Sequence, residues 1–474
     1  MAYRYGERNQ AALFPQSIDE YIPNDAPVRA YDVIIGSLDF DELGIKVDPH
    51  KVGCPQYDPN TMLKLLVYGY SYGVRSSRKL EREANYNLSF IWLTGGLKPD
   101  HKTIAEFRRQ NKTALQKVLK QCARLCIKLG LIEGNTLFVD GSKIKANASM
   151  KNNWTEQRCQ KFFKNIDKRI KDILLECEAT DDQEKQQQSL IKMRQEFKDH
   201  EILRSKVENI LNELKAGKKQ STNTTDPDSK SMRTRQGPGA GYNAQVTVDE
   251  KHGLIVNSDV VSDNHDYHQF SGQIDQANKV LGKQCETACA DAGYADTNTL
   301  AMTDEQGIRV IVPSQRQATK KERGKFDKLQ FQYDSQNDVY LCPEGQALKF
   351  CGINEKRKMK YYAARAICKK CKHFGRCTKN KRDGRKILRL FKEELRERLE
   401  TLYDLPSSQK IYALRKQKVE LPFGHIKHNL KTSHFLLRGL DGVKAEMSLL
   451  SGCFNISRMI NIIGVCGLIE KLAG

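Results

Sequence analysis

The 474-residue chain has no uninterrupted apolar stretch of the ~18 residues that a membrane-spanning helix needs. The nearest approach, residues 453–469, is broken by Asn455, Arg458 and Asn461, so no membrane span is expected. The opening residues MAYRYGERNQAALFP carry charge but no apolar core of the kind a secretory leader has. A cytoplasmic chain is expected, with its 14 cysteines reduced and any clustered subset free to ligate metal. Negative charge is in short supply: 58 acidic residues stand against 79 Lys and Arg, a formal net charge of +21. Hydrophobic residues make up 39%, enough for a true core, which excludes a wholly disordered chain. At ~150 residues per domain the length predicts about three domains. Residues 314–440 hold 32 basic and 13 acidic residues, so nearly all the excess charge lies in about a quarter of the chain. An excess so concentrated is expected to face a polyanion, nucleic acid first.

The first 130 residues read as helical. Asp58 and Pro59 have N-cap and N1 character ahead of Met62, Leu65, Leu66 and Tyr70. A second short helix follows Ser76 and Ser77, and a third opens at Asp100 or Thr103, with Thr103 and Glu106 at capping-box spacing. These helices carry Arg75, Arg78, Lys79, Arg82, Arg108 and Arg109. They make either a small DNA-binding unit or a bundle with basic solvent faces. Residues 136–149, TLFVDGSKIKANAS, then predict an apolar strand ending in Asp140, a Gly turn and a second short strand. Two helix faces follow over 151–217, Phe162 to Leu174 and Leu190 to Leu214, as a hairpin insertion. Strands resume at 242–249 and 254–261. A helix is expected over 267–281, with His265 and His268 at its polar start. A short strand then ends near Asp291, a helix covers 296–306, and a last strand covers 308–313. This order predicts an α/β layer architecture with a mixed sheet.

Two aspartates near strand ends are unremarkable alone, since most such residues cap turns. A third carboxylate makes a set. Residues 412–431 are helical by the spacing of Leu414, Val419, Phe423, Ile426 and Leu430, with Pro422 expected to bend or restart the helix. Glu420 and Lys427, seven apart, would share a face, with Lys416 one turn earlier. Oxygen ligands suit Mg²⁺ or Mn²⁺. Two such ions can stabilise the attacking and leaving oxygens of a phosphoryl transfer.

The blocks FVDGSKIKANAS around Asp140, CADAGYAD around Asp291, and Tyr412, Arg415, Glu420 and Lys427 together resemble a bacterial insertion-sequence transposase of the DDE type. The last block is similar to the Tyr-Arg-Glu-Lys signature of one large transposase group, and YDPNTMLKLLVYGYSYGVRSSRKLE and DHKTIAEFRR resemble its helical N-terminal domain. One spacing departs: four residues separate Arg415 from Glu420 where that signature has three. The resemblance implies an α/β fold with a ribonuclease H-like core over 131–313 and 405–440, the hairpin being an insertion. It also implies an all-helical DNA-binding domain over 1–130, a Cys-rich basic insertion over 314–404 and C-terminal helices over 441–474. Asp140, Asp291 and Glu420 would be catalytic and hold Mg²⁺ or Mn²⁺. Tyr412, Arg415, Lys416, Lys427, Arg78, Arg108 and Arg109 would touch DNA. The partners implied are double-stranded DNA, as element ends and target, and further copies of the chain, at the nucleoid. Two rivals are a related nuclease that cleaves without strand transfer and an inactive DNA-binding relic.

Within the basic insertion, Cys368 and Cys371 form C-x-x-C, Cys377 follows after five residues and Cys342 precedes by 26. Four thiolates fit tetrahedral Zn²⁺ in a small basic knuckle, with Cys351 and His373 as spare candidates. The set lacks a second C-x-x-C, and reduced thiols in a loop are the alternative. The remaining cysteines lie mostly in apolar runs and read as small core residues.

Overall fold

The computed structural model describes residues 17–45, 56–181, 187–217, 221–234, 237–319, 324–355 and 358–473. The chain divides into two compact units. The first comprises Met1–Asp266, Gly272–Cys285 and Lys416–Gly474, the second Tyr267–Ser271 and Glu286–Arg415.

The first unit opens with helices, among them Pro27–Gly36, Pro59–Ser71, Ser77–Tyr86, His101–Gln110 and Val118–Lys128. Asp58 caps the second of these by accepting from the Asn60 and Thr61 amides at 3.2 and 3.0 Å, with Pro59 at N1. Asp100, not Thr103, caps His101–Gln110, accepting from the Thr103 amide at 2.6 Å. Glu106 is not the expected capping-box partner, because it pairs with Arg109.

Strand β1 (Thr136–Lys145) follows. β2 (Asn153–Thr155) and β3 (Ser221–Asn223) pair as a short ribbon. That ribbon brings together the feet of the expected helical hairpin, Glu156–Asp181 and Gln187–Ala216. Its base is closed by Cys159, Val207 and Leu214, with Trp154 edge-on to Phe162 at 5.2 Å and Arg158 over the Trp154 ring at 4.6 Å. β4 (Lys230–Thr234), β5 (Gly237–Asp249) and β6 (Ile255–Val261) complete the unit's sheet. The long β5 pairs antiparallel with β1, β4 and β6. Gly241 is required here, since a Cβ on it would lie 2.8 Å from the Ile144 carbonyl oxygen.

The helix Leu440–Ile463 is buried through most of its length and supplies the core that the sheet and helices share. Its polar interruptions have structural partners. Asn455 grips the Ile255 backbone, accepting from its amide at 2.9 Å and donating to its carbonyl at 2.8 Å. Among the described residues no single helix is long and apolar enough to cross a membrane. Leu440–Ile463 with Val465–Leu472 passes by length and composition, but the pair is bent by 102°.

In the second unit, β7 (Thr287–Cys289) and β8 (Arg309–Ile311) pair in parallel, with the helix Thr297–Asp304 between them in the chain. Parallel and antiparallel pairings thus both occur, as expected of a mixed α/β chain. The Cys-rich insertion is more ordered than the expected knuckle. It forms a five-stranded antiparallel sheet from β9 (Gln332–Asp334), β10 (Val339–Leu341), β11 (Ala347–Asn354), β12 (Met359–Ala363) and β13 (Lys386–Leu390), in reverse chain order across the sheet. Phe331, Tyr340, Leu348, Tyr362 and Ile387 are its core. Arg389 lies within it, 3.2 Å from the Tyr340 hydroxyl and 3.7 Å above the Tyr333 ring.

Candidate active site

β1 positions the first carboxylate. Leu137, Phe138 and Val139 are all buried, so both faces of the strand are covered, and from Asp140 onward it is half-buried except at Ile144. The expected turn at Gly141 is absent. β1 runs unbroken through it, with Asp140 opposite Val246 and Gly141 opposite Gln245. Gly141 takes an ordinary extended conformation, and the ladder to β5 outweighs its turn preference. Asp140 therefore sits mid-strand, where the buried half of β1 gives way to the solvated half.

Residues two apart share a strand face, so Ser142 lies beside Asp140. The Ser142 hydroxyl accepts a hydrogen bond from the Lys427 ammonium. The structure thus brings Lys427 to the face of β1 that carries Asp140. On the opposite face, Lys143 reaches both Asp266 oxygens at 3.1 Å, and Asn243 and Gln245 donate to Asp266 Oδ1 at 2.7 and 2.8 Å. Sequence reasoning missed Asp266. The signal was the register of Lys143 with Asn243 and of Gly141 with Gln245.

Glu420 comes from the helix Pro406–Gly424, which passes through Pro422 without ending. Val419 and Phe423 are buried while Glu420 and Lys416 face solvent. A π-helical turn, His425–Asn429, follows directly, closed by a bond from the Leu430 amide to the His425 carbonyl at 3.0 Å. The extra residue in that turn shifts the phase of the helix, so the seven-residue spacing of Glu420 and Lys427 is no longer two regular turns. Ile426 and Leu430 stay buried, and Lys427 is turned to Ser142. The chain is then tied to the end of β1, where the Phe435 amide donates to the Lys145 carbonyl at 2.9 Å.

The second unit carries Asp291 just beyond β7. It is half-buried and caps a short 3-10 turn, accepting from the Gly293 amide at 2.7 Å. Tyr412 and Arg415 lie on the same side: burial raises the Tyr412 phenol above its ordinary range, Arg415 opposes this, and Tyr403 and Asp291 add to it. Tyr403 stands edge-on to Tyr412 at 5.1 Å, with Arg415 5.6 Å over the Tyr412 ring. Burial also pushes the neighbouring Cys289 thiol up to about 12, so it is inert. Five residues after Asp291, the buried Asp296 caps Thr297–Asp304 and holds His268 Nδ1 at 3.0 Å. His268 lies in a turn and not on a helix, which begins at Phe270.

Of the N-terminal arginines, Arg78 and Arg109 are exposed, and Arg109 is engaged by Glu106. Arg108 departs from expectation. It is buried, donating to the Tyr70 hydroxyl at 3.1 Å and the Arg75 carbonyl at 3.0 Å and engaging Ser77, so its charge faces the core and not DNA.

The four expected zinc ligands, Cys342, Cys368, Cys371 and Cys377, are half-buried and line one cavity of about 40 Å³. Cys351 is apart from them, thrown outward by a bulge in β11. Cys122, Cys126, Cys159, Cys285, Cys289 and Cys453 are buried as expected, whereas Cys466 is exposed. Cys54 and the side chain of Cys177 fall outside the described residues. Among the described residues, no three His, Cys, Asp or Glu side chains form a ready-made set for a metal ion.

Two family models match the chain. A transposase domain (DUF772) matches residues 16–110, and a transposase DDE domain matches residues 341–460. Both matches support a DDE transposase family. The first match covers the helical region up to Gln110, and the second spans most of the five-stranded sheet, the helix bearing Glu420 and much of Leu440–Ile463. The transposase matches support a function in transposition, with DNA as the substrate. No curated protein matches the chain.

Proposed function

We propose that this transposase-like chain cleaves DNA at the ends of an insertion element and joins the freed 3′-OH to target DNA, on a ribonuclease H-like core. The observation that carries this reading is the DDE-domain match across the helix bearing Glu420. In the proposed assembly, residues 1–130 grip DNA, residues 131–313 and 405–440 form the core, and 314–404 and 441–474 are additions to it.

Asp140, Asp291 and Glu420 would hold the metal ions. Their donor chemistry fits, since carboxylate oxygens are what Mg²⁺ and Mn²⁺ take. When bound, such ions supply a water of lowered pKa and neutralise charge on the phosphate. The chain's own side chains do the rest. The Lys427 ammonium, held at Ser142, would lie along a DNA phosphate beside Asp140. Arg415 would offer its planar guanidinium to a second phosphate, and Tyr412, packed on Tyr403, would form the apolar wall that keeps the DNA end in place. Lys416, Arg78 and Arg109 are exposed and would contact the backbone at a distance from the chemistry. Two copies would pair two element ends.

Purified protein, Mg²⁺ or Mn²⁺ and labelled DNA carrying the element's ends test the proposal. Parent protein is expected to give nicked ends and joined products. Asp140→Ala, Asp291→Ala and Glu420→Ala are each expected to abolish both while DNA binding persists. Full activity in any one of the three overturns that residue's role. Nicking without joined products would favour the nuclease reading, and binding with neither would favour the inactive relic.

A further inference from the structure

The four cysteines of the five-stranded sheet arrive from three places in the chain. Cys342 lies in the turn joining β10 to β11. Cys368 is in the short helix Arg365–Lys369, and Cys371 and Cys377 follow in the loop leading to β13. Segments so separated converge on one cavity of about 40 Å³, room for little more than a single small species. Phe331, Leu348 and Ile367 share its lining with Glu344, His373 and Arg385.

The local backbone around the cysteines is built as ligating turns. After Cys342 the chain reverses within four residues. The Gly345 amide donates to the Cys342 carbonyl at 2.8 Å, and the Cys342 amide donates to the Gln346 carbonyl at 2.9 Å. The Gln346 amide points at the Cys342 sulfur at 3.4 Å. The second turn has the same feature, the His373 amide pointing at the Cys371 sulfur at 3.5 Å. Gly384 presses on the site from behind. Its φ is +70°, and a Cβ there would stand 3.1 Å from the Cys368 sulfur.

We propose that Cys342, Cys368, Cys371 and Cys377 bind one structural Zn²⁺ in the cavity they line. The sulfurs wall the cavity without forming a ready ligand set, and the ion would draw them inward. Binding releases four protons, one from each thiol, and leaves a ZnS₄ centre of net charge −2. Arg385, which donates to the Cys377 and Phe326 carbonyls at 3.3 and 2.9 Å, and the exposed Lys369, Lys370 and Lys372 offset that charge. His373 and Glu344 also line the cavity, with the His373 Nε2 2.9 Å from Glu344. With four protein ligands the site is closed and supplies no reactive water. Its role is to fix the exposed basic loop that carries Arg376, Lys379, Lys381 and Arg382 on the edge of the sheet.

The test uses the full-length protein, expressed with zinc and purified without chelator. Elemental analysis is expected to find roughly one zinc per chain in the parent and in the Cys351→Ser control. Cys342→Ser, Cys368→Ser, Cys371→Ser and Cys377→Ser are each expected to lose it. So that the test does not depend on how the variants fold, the parent is also stripped and titrated with Co²⁺. Absorption bands of tetrahedral thiolate-bound cobalt, displaced by Zn²⁺, are expected. A parent without zinc and without those bands overturns the proposal, as do two disulfides among the four cysteines found by mass spectrometry without reductant. Neither readout depends on transposition, so failure here leaves the proposed catalytic function standing, and the reverse holds.

Discussion

Replacing Arg75 by Ala tests how the first unit is held together. Arg75 lies in the connection between the helices Pro59–Ser71 and Ser77–Tyr86, and Glu446 in Leu440–Ile463, and the two are 2.8 Å apart with almost no solvent exposure. The guanidinium also donates to the His434 and Lys431 carbonyls at 3.1 and 3.2 Å. Glu446 Oε2 accepts from the Leu436 and Leu437 amides at 2.8 and 2.9 Å. Four groups of the segment that follows the π turn thus depend on one ion pair. Deleting the cation strands a buried carboxylate, which costs about 3–5 kcal/mol. Replacing both partners with Arg75→Met and Glu446→Leu is expected to recover most of that, because no charge is left unpaired.

The loss will depend on pH in a stated direction. Burial already raises the Glu446 carboxyl above its ordinary 4.5, with Arg75 opposing, so removing Arg75 raises it further. The folded variant then holds a proton that the unfolded chain releases, and its stability falls as pH rises above the unfolded value. Urea unfolding followed by circular dichroism at pH 5 and pH 8 should find the larger loss at pH 8. A variant as stable as the parent at both values, or one equally weakened at both, would refute the reasoning.

Other outcomes follow from the same structure. Arg108→Ala is expected to lower stability by about 2–3 kcal/mol, since it leaves buried acceptors unpaired, while leaving the salt dependence of DNA binding unchanged. Arg78→Ala should do the reverse, flattening the log–log salt slope by about 0.9 if it contacts one phosphate. In a filter-binding salt series, equal slopes for the two variants would contradict the assignment. Lys427→Ala is expected to lower cleavage by about 10–100-fold, the loss of one charge-assisted contact, with unfolding little changed. A variant cleaving at the parent rate would remove Lys427 from the site. Gly384→Ala should destabilise the five-stranded sheet by about 2 kcal/mol or more, from the strained backbone and the clash with Cys368. Unchanged thermal unfolding would exclude that contact.

Much of the fold was legible in the sequence because local chemistry and tertiary structure agree there. Asp58 followed by Pro59 starts a helix on capping alone, and the alternation of 242–261 makes two antiparallel strands on either side of a turn. The reading failed where context overrode residue type. Gly141 has turn character, but pairing on β5 holds it extended and carries Asp140 into the strand. Arg108 is charged, yet its terminal guanidinium nitrogens are held inside by Tyr70, Ser77 and the Arg75 carbonyl. The strands of 332–390 were illegible because they are short and charge-bearing: Lys349, Lys360 and Arg389 alternate with Phe350, Tyr361 and Leu388, and only the aromatic core of Tyr340 and Tyr362 reveals the sheet. The phase shift at His425–Asn429 has no sequence signature, and without it Lys427 could not be assigned to Ser142.

The placement of Asp140 inside a continuous ladder also limits what can move. A carboxylate on a loop can be re-aimed by a change in a few torsions. One embedded among the β1–β5 pairings can be displaced only if the sheet deforms with it. On the proposed reading Asp140 is a fixed datum. Any adjustment between cutting and joining then falls to the DNA, to the bound ions and to the helix that presents Glu420, whose π turn marks the point where a regular helix has already given way.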